Sequence, residues 1–200
     1  MSEISIPCEV IARLANVLKY FPDSADEWTN SIRLEDNYAM ATNRCYMAVE
    51  RLKASVPAPV HIKADPAFIA QCRTEAQFSS NVFFVINTAL GIVTARTTMG
   101  YQYPGNLLLA SGTPNKLDEW RNVIPRTPTA APGISLMLDL TQFMMFAETA
   151  PSKMVVFERC FDAQAASIVR DRISPDWFGV FNPKDNVELH DAATLPGWFK

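Results

Sequence analysis

Cysteine and histidine are the residues of this chain that could most directly perform chemistry. The four cysteines are scattered, with no Cys-x-x-Cys pair and no spacing typical of a zinc site; they are Cys8, Cys45, Cys72 and Cys160. Cys45 could serve as a nucleophile only beside a base, and no histidine lies near it in the sequence. The pattern favours reduced thiols in a cytoplasm and predicts no metal and no other cofactor.

Motifs of common enzymes are missing as well. The sequence contains no Gly-x-Ser-x-Gly, no His-Glu-x-x-His and no P-loop. A small hydrolase therefore has no supporting motif in this sequence. A polar cluster with an aromatic ring, at residues 42–46 of a predicted strand, is the remaining candidate site, and residues of this kind suit binding.

The composition is that of a globular protein. Its 200 residues, 48% hydrophobic and 20% charged, suffice for one large domain or two small ones. The net charge of −3 argues against a protein that grips nucleic acid by bulk electrostatics, although topological retention of DNA would need no such charge. No apolar run reaches the roughly 18 residues of a membrane span, and Met1-Ser2-Glu3 does not begin a signal peptide, so we expect a cytoplasmic protein without membrane contact.

Three amphipathic helices are predicted, each preceded by a strand and followed by several strands. The first helix starts at Pro7, the second at Asp65-Pro66 and the third at Asp139. Because a lone one-sided helix must lie against a sheet built of sequence-adjacent strands, the pattern predicts an α+β fold with antiparallel sheets. The predicted apolar stripe of the third helix consists of Phe143, Met144 and Ala147.

Strand signals near the first helix predict a hairpin. We expect strands at 31–35 and 38–53, joined by a tight turn at Asp36-Asn37 and followed by a proline-bearing connection at 55–59. Residues 100–116 are rich in Gly, Pro, Asn and Ser, which predicts a loop.

The candidate polar cluster lies within Ala41-Thr42-Asn43-Arg44-Cys45-Tyr46-Met47-Ala48. This stretch resembles a signature of the bacterial DNA sliding clamps, the beta subunit of the replicative polymerase, which reads Ala-Thr-Asp-Gly-His-Arg-Leu-Ala. The Ala-Thr start, the hydrophobic residue before the end and the final Ala match, whereas the Gly, His and Arg of the signature are replaced here.

Two further stretches are similar to signatures of the same family. Leu117-Asp118-Glu119-Trp120-Arg121-Asn122-Val123-Ile124-Pro125 is similar to Phe-Pro-Asp-Tyr-Arg-Arg-Val-Leu-Pro, and Val180-Phe181-Asn182-Pro183 is similar to the clamp C-terminus, Val-Val-Met-Pro-Met. The resemblance implies DNA-clamp (processivity-fold) domains: a complete one at 1–116, a proline-rich linker at 117–133, and a partial one with a C-terminal tail at 134–200.

The resemblance implies a processivity factor of DNA replication that is an accessory protein and not an enzyme. In sliding clamps these three stretches converge on one hydrophobic pocket, where polymerases, clamp loaders and repair proteins dock short linear motifs. Such a peptide needs an apolar concavity with a few polar groups at its rim. Carried over by position, the pocket would be lined by Thr42, Cys45, Tyr46, Met47, Arg121, Val123, Val180 and Asn182.

The resemblance also implies a homo-oligomeric ring around duplex DNA, with helices inward and weak, non-specific phosphate contacts. The DNA-facing residues would be Arg13, Lys19, Arg73 and Lys153. Because acidic residues on the same helices nearly balance this positive charge, an alternative is a clamp-fold protein-binding adaptor that does not encircle DNA.

Overall fold

The computed structural model describes residues 2–18, 31–43, 46–63, 65–103, 107–109, 120–122, 124, 140–158 and 167–181. The elements in chain order are β1 (Ser2–Pro7), α1 (Cys8–Leu18), β2 (Ser31–Thr42), β3 (Tyr46–Lys63), α2 (Pro66–Ala76), β4 (Asn81–Asn87), β5 (Ile92–Thr97), β6 (Leu107–Leu109), α3 (Leu140–Thr149), β7 (Val155–Glu158), β8 (Ser167–Asp171) and β9 (Trp177–Phe181). The predicted α+β class is confirmed. None of the helices in these ranges is long and apolar enough to cross a membrane.

The long strand β3 organises the sheet. β2 pairs along one side of β3, while the other side is divided between two partners: β6 pairs with Val60 and His61, and β9 pairs with residues 46–50. The described strands follow the order β1-β4-β5-β6-β3-β9-β8-β7, and the described pairings are antiparallel. Strand pairing therefore joins residues 46–50 directly to residues near the C-terminal end of the chain.

The predicted turn at Asp36-Asn37 is wrong. Asp36 has a left-handed backbone, with φ of 51°, but it lies in an irregularity of β2 where the register against β3 shifts. The hairpin instead reverses after Thr42. There Asn43 accepts a hydrogen bond from the backbone N–H of Tyr46 at Oδ1 (2.9 Å) and donates from Nδ2 to the carbonyl of Val17 (3.3 Å). The side chain of Asn43 therefore fixes the turn and anchors it to α1.

The predicted connection at 55–59 is also wrong, because β3 continues through it. Pro57 and Pro59 lie between Val56, which is opposite Asp36, and Val60, which is opposite Leu34, where the register shifts. A proline lacks the N–H that a regular ladder requires, so an irregular stretch tolerates it. Similarly, β6 lies within the predicted loop at 100–116; only three residues long, it is too short to recognise from sequence.

Local signals at α2 were sufficient to predict its start. The carboxylate of Asp65 accepts a hydrogen bond from the Phe68 N–H (2.8 Å), and Pro66 occupies the first turn of the helix. This cap satisfies a backbone donor that the helix leaves unpaired, and proline there needs no donor.

The helices cover one side of the sheet, which we call the inner face. Ala41, Ala48 and Gly179 lie side by side across β2, β3 and β9 on this face. Their small side chains allow close approach of a helix, and Phe146 of α3 occupies that space. Its ring makes edge-to-face contacts with three aromatic rings, at centroid distances of 5.6–6.5 Å; these rings are Tyr46, Trp177 and Phe181.

The predicted stripe of α3 is wrong. Phe143 and Met144 are 48% and 45% exposed, whereas Met145 and Phe146 are buried. Apolar residues occur on several sides of this helix, so their spacing alone could not identify the packed side. Contact with Gly179 and its aromatic neighbours selects Phe146 instead.

Replacing Gly179 with alanine should destabilise the fold. A Cβ atom at this position would lie 2.6 Å from Cε1 of Phe146, so the ring would have to shift. Overpacking of this kind costs about 1–3 kcal/mol. We expect urea denaturation of Gly179→Ala to show that loss, and Phe146→Leu to cost less in this background than in the wild type. A wild-type midpoint for Gly179→Ala would contradict the packing described; Thr94→Ala, on an exposed strand position, serves as the control.

Candidate functional site

Opposite the inner face, five buried side chains form a second apolar cluster, which we call the outer cluster. Its members are Met40, Met47, Val49, Trp120 and Val180. They come from β2, β3, the short helical turn at 120–122 and β9. Register explains the grouping, because Met40 is opposite Val49 and Met47 is opposite Val180, and directly opposite residues point to the same side of a sheet.

Trp120 is the member that joins the outer cluster to a distant part of the chain. Its indole makes an edge-to-face contact with Tyr38, with ring centroids 5.8 Å apart. The guanidinium of Arg121 lies 4.4 Å from the centre of the Trp120 ring and 5.7 Å from that of Tyr38. Aromatic and cation–π contacts thus hold the 120–122 turn on β2.

The carboxylate of Glu35 fixes the turn by hydrogen bonds. It accepts from Nε1–H of Trp120 (3.3 Å), from the guanidinium of Arg121 (2.8 Å) and from Nε of Arg33 (2.8 Å). Arg121 also donates to Asp36 (3.0 Å). Burial works to raise the pKa of Glu35, but the hydrogen bonds and charges of Arg121 and Arg33 outweigh it and lower that pKa. Glu35 therefore stays ionised and keeps its three donors.

Three of the residues predicted for a pocket lie at this surface, and a fourth lies opposite one of them. Met47 and Val180 belong to the outer cluster, and Arg121 lies over Trp120. Thr42 is opposite Met47, and its hydroxyl donates to the carbonyl of Tyr46 (2.7 Å). Met47 and Val180 are only 5% and 4% exposed, so the surface is covered in this conformation.

Of the remaining predicted pocket residues, the structure describes Tyr46, which lies on the other side of the sheet. Tyr46 points to the inner face, where its ring packs on Phe146 in the main core, so it does not line the outer cluster. Side chains alternate along a strand, and the sequence pattern did not reveal which of Tyr46 and Met47 faced the helices. Cys45, Val123 and Asn182 lie outside the described residues.

Sequence reasoning missed Met40, Val49 and Glu35. Met40 and Val49 join the site because β2 pairs with β3 in this register. The wrong prediction of a turn at Asp36-Asn37 implied a different pairing. Glu35 joins it because its side chain meets the distant Arg121. The sequence around these residues did not indicate which distant residues they would contact.

The comparisons with known proteins concern the fold. No protein-family model matches the sequence, and no curated protein sequence matches it either. Among solved structures, the DNA polymerase III subunit beta of Pseudomonas aeruginosa is 12% identical at a TM-score of 0.64, with 93% of this chain and 67% of that chain covered. The C. crescentus beta sliding clamp is 11% identical at a TM-score of 0.59, with 92% and 66% covered.

The fold is that of the bacterial sliding clamps. The resemblance of residues 41–48, 117–125 and 180–183 predicted this fold, and the structural comparison confirms it. This chain spans about two thirds of the length of the P. aeruginosa and C. crescentus clamp chains.

The helix layer of this sliding-clamp fold carries little free positive charge among the described residues. Arg13, predicted to face DNA, donates to Glu50 (2.6 Å) and lies 3.5 Å from Glu9. Burial raises the pKa of Glu50 despite the nearby charge of Arg13. This ion pair ties α1 to β3, so the Arg13 charge is largely neutralised within the fold.

The other residues predicted to face DNA differ in their surroundings. Arg73 is exposed on α2 and donates to Oδ1 of Asn16 on α1 (3.0 Å). Lys153 is exposed in the turn after α3, and Lys19 lies outside the described residues. Within the described part of the chain, no group of three or more His, Cys, Asp or Glu side chains could hold a metal, and Cys8 and Cys72 are buried free thiols.

Acidification should loosen the 120–122 turn through Glu35. Because the folded-state pKa of Glu35 is lowered, its stabilising contribution is complete above the ordinary carboxyl range and is lost as the pH falls below about 4. Tryptophan emission should then shift to the red, and Glu35→Gln should show the shifted emission already at neutral pH. Because the chain has four tryptophans, Trp120→Phe assigns the signal.

Glu3→Gln is the control, since Glu3 is exposed and lies 4.0 Å from its partner Arg96, far from Trp120 in the fold. An emission profile of Glu35→Gln identical to that of the wild type across this pH range would contradict the role given to Glu35.

Proposed function

We propose that this chain is a sliding-clamp-like processivity factor: a cytoplasmic, non-enzymatic protein that assembles into a closed homo-oligomer around duplex DNA. The observation that carries the proposal is the match of more than nine tenths of the chain to sliding clamps. A ring that tethers a polymerase raises the effective concentration of the enzyme at its template, and it needs no tight DNA contact.

The arrangement of layers supports this proposal. Helices α1, α2 and α3 lie on one side of an antiparallel sheet, and among the described strands β1, β2 and β7 are the end strands of that sheet. An unpaired strand edge is a template for another chain. Pairing of β7 in one copy with β1 in the next would continue the sheet from subunit to subunit.

The proposal includes partner binding at the outer cluster, by short linear motifs of a DNA polymerase or clamp-loader-type protein. The C. crescentus clamp was solved with PEG bound to the region proposed for beta-motif tethering, and a P. aeruginosa clamp was solved bound to griselimycin. In this chain, Met47 and Val180 would provide apolar contacts and Arg121 a polar rim.

A clamp-fold adaptor that does not encircle DNA is the second candidate. It is favoured by the solvent-facing side of α3, where the apolar residues Phe143 and Met144 are about half exposed. Apolar side chains there suit contact with protein better than contact with phosphates. Native mass separates the two candidates, because a ring requires a closed oligomer.

A charge on the edge strand β7 should break the ring. Val156 is 47% exposed on this strand, and charged side chains on an edge oppose strand-to-strand pairing. We expect the wild type to show the mass of a closed oligomer in native mass spectrometry at micromolar concentration, and Val156→Arg to show that of a monomer. Thr94→Arg, exposed on β5, should keep the oligomer. A monomeric wild type would refute the ring and favour the adaptor.

DNA contact should depend on Arg73 and not on Arg13. We expect Arg73→Gln to reduce the slope of log K against log salt for duplex binding by about 1, as for one lost phosphate contact. Arg13→Gln should leave that slope unchanged and instead lower the free energy of unfolding by about 1–3 kcal/mol, because Glu50 loses its partner. Equal salt slopes for Arg73→Gln and the wild type would exclude Arg73 from the DNA-facing surface.

A further inference from the structure

The outer cluster already holds a ligand-like group that belongs to the chain itself. The indole of Trp120 is 96% buried, yet it comes from a three-residue helical turn and not from the sheet. Met40, Met47, Val49 and Val180 form the strand surface on which it lies. The aromatic side chain of Trp120 thus packs on an apolar surface made by these four strand residues, which we call the floor.

The surroundings of this floor define which group it accepts. The two methionine side chains are flexible thioethers, which pack favourably against aromatic rings. Beside the floor, Glu35 and Asp36 present carboxylates at 2.8 Å and 3.0 Å from the guanidinium of Arg121. The site thus combines an apolar surface that accepts an aromatic ring with an acidic rim. Trp120 occupies the first part, and Arg121 pairs with the second.

The ion pairs that help to attach the turn are open to water on the Arg121 side. The side chain of Arg121 is 43% exposed, with Glu35 16% and Asp36 69% exposed, so water screens both pairs in part and the pair with Asp36 most. If another aromatic ring took the place of the Trp120 indole, the apolar residues beneath it would stay covered. The turn belongs to the same chain as its site, so its effective concentration there is of millimolar order, and it competes with any free peptide.

We propose that the outer cluster, with Glu35 and Asp36, is a docking site for partner peptides that carry an aromatic residue followed by a basic residue, and that Trp120-Arg121 is its built-in competitor. This inference rests on the partner-binding part of the proposed function, since it names the chemistry and the regulation of that same surface. The aromatic ring of a partner peptide binds where Trp120 lies, and its basic side chain pairs with Glu35 and Asp36. The 120–122 turn moves away to admit it.

The test measures binding of a labelled synthetic peptide with the sequence of residues 117–125 to the full-length protein, by fluorescence anisotropy. Wild type should bind weakly because its own turn occupies the site. Arg121→Gln should bind about three- to tenfold more tightly, since it loses the weak ion pairs that hold the turn. Trp120→Ala, which leaves the floor uncovered, should bind more tightly still.

Two controls test the chemistry. A peptide carrying Trp120→Ala should not bind any of the proteins, and Asp36→Asn should weaken binding of the intact peptide to the Arg121→Gln protein. Equal affinity of wild type and a folded Arg121→Gln protein for the intact peptide would overturn the proposal, as would equal binding of the two peptides. Arg121→Gln decides the outcome even if Trp120→Ala fails to fold.

The result is independent of assembly. Tight peptide binding by a monomeric protein would support this inference while refuting the ring, and a closed oligomer with no gain in peptide binding on Arg121→Gln would do the reverse.

Discussion

The division of β3 between two neighbours is the constraint on which the rest of the structure depends. One half of this strand pairs with β6 and the other with β9, while β2 pairs along its opposite side. The register shifts around Asp36 and the prolines at 57 and 59 lie between the two halves, where strict pairing is relaxed. Because β3 reaches both parts, residues more than 130 positions apart, such as Met47 and Val180, become direct neighbours.

The same pairing gives β3 two different faces. On the inner face, small residues admit Phe146 and bring α3 onto the sheet. On the outer face, larger apolar residues remain and are covered by Trp120, which Glu35 holds through a hydrogen bond. The proposed binding of partners on one face and of DNA on the other requires these two faces to be distinct. Here the separation follows from the alternation of side chains along one strand.

The sequence was informative where the signal was local or where a family signature survived. Asp65-Pro66 specified a helix start through a cap that needs no distant partner. Asp36 misled because a left-handed residue occurs in strand irregularities as well as in hairpin turns. Of the candidate site, Met47, Val180 and Arg121 came from the resemblance, whereas Met40 and Glu35 required the register of β2 and a contact across 86 residues. Tyr46 shows that a shift of one residue moves a side chain into the opposite core.

Methyl NMR of protein labelled at methionine tests the convergence of β2, β3 and the 120–122 turn most directly. We expect nuclear Overhauser effects from the Trp120 indole to the methyl groups of Met40 and Met47, and upfield ring-current shifts of those methyls that disappear in Trp120→Leu. Methyl signals of Met40 and Met47 that show neither contact with the indole nor any change in Trp120→Leu would contradict it.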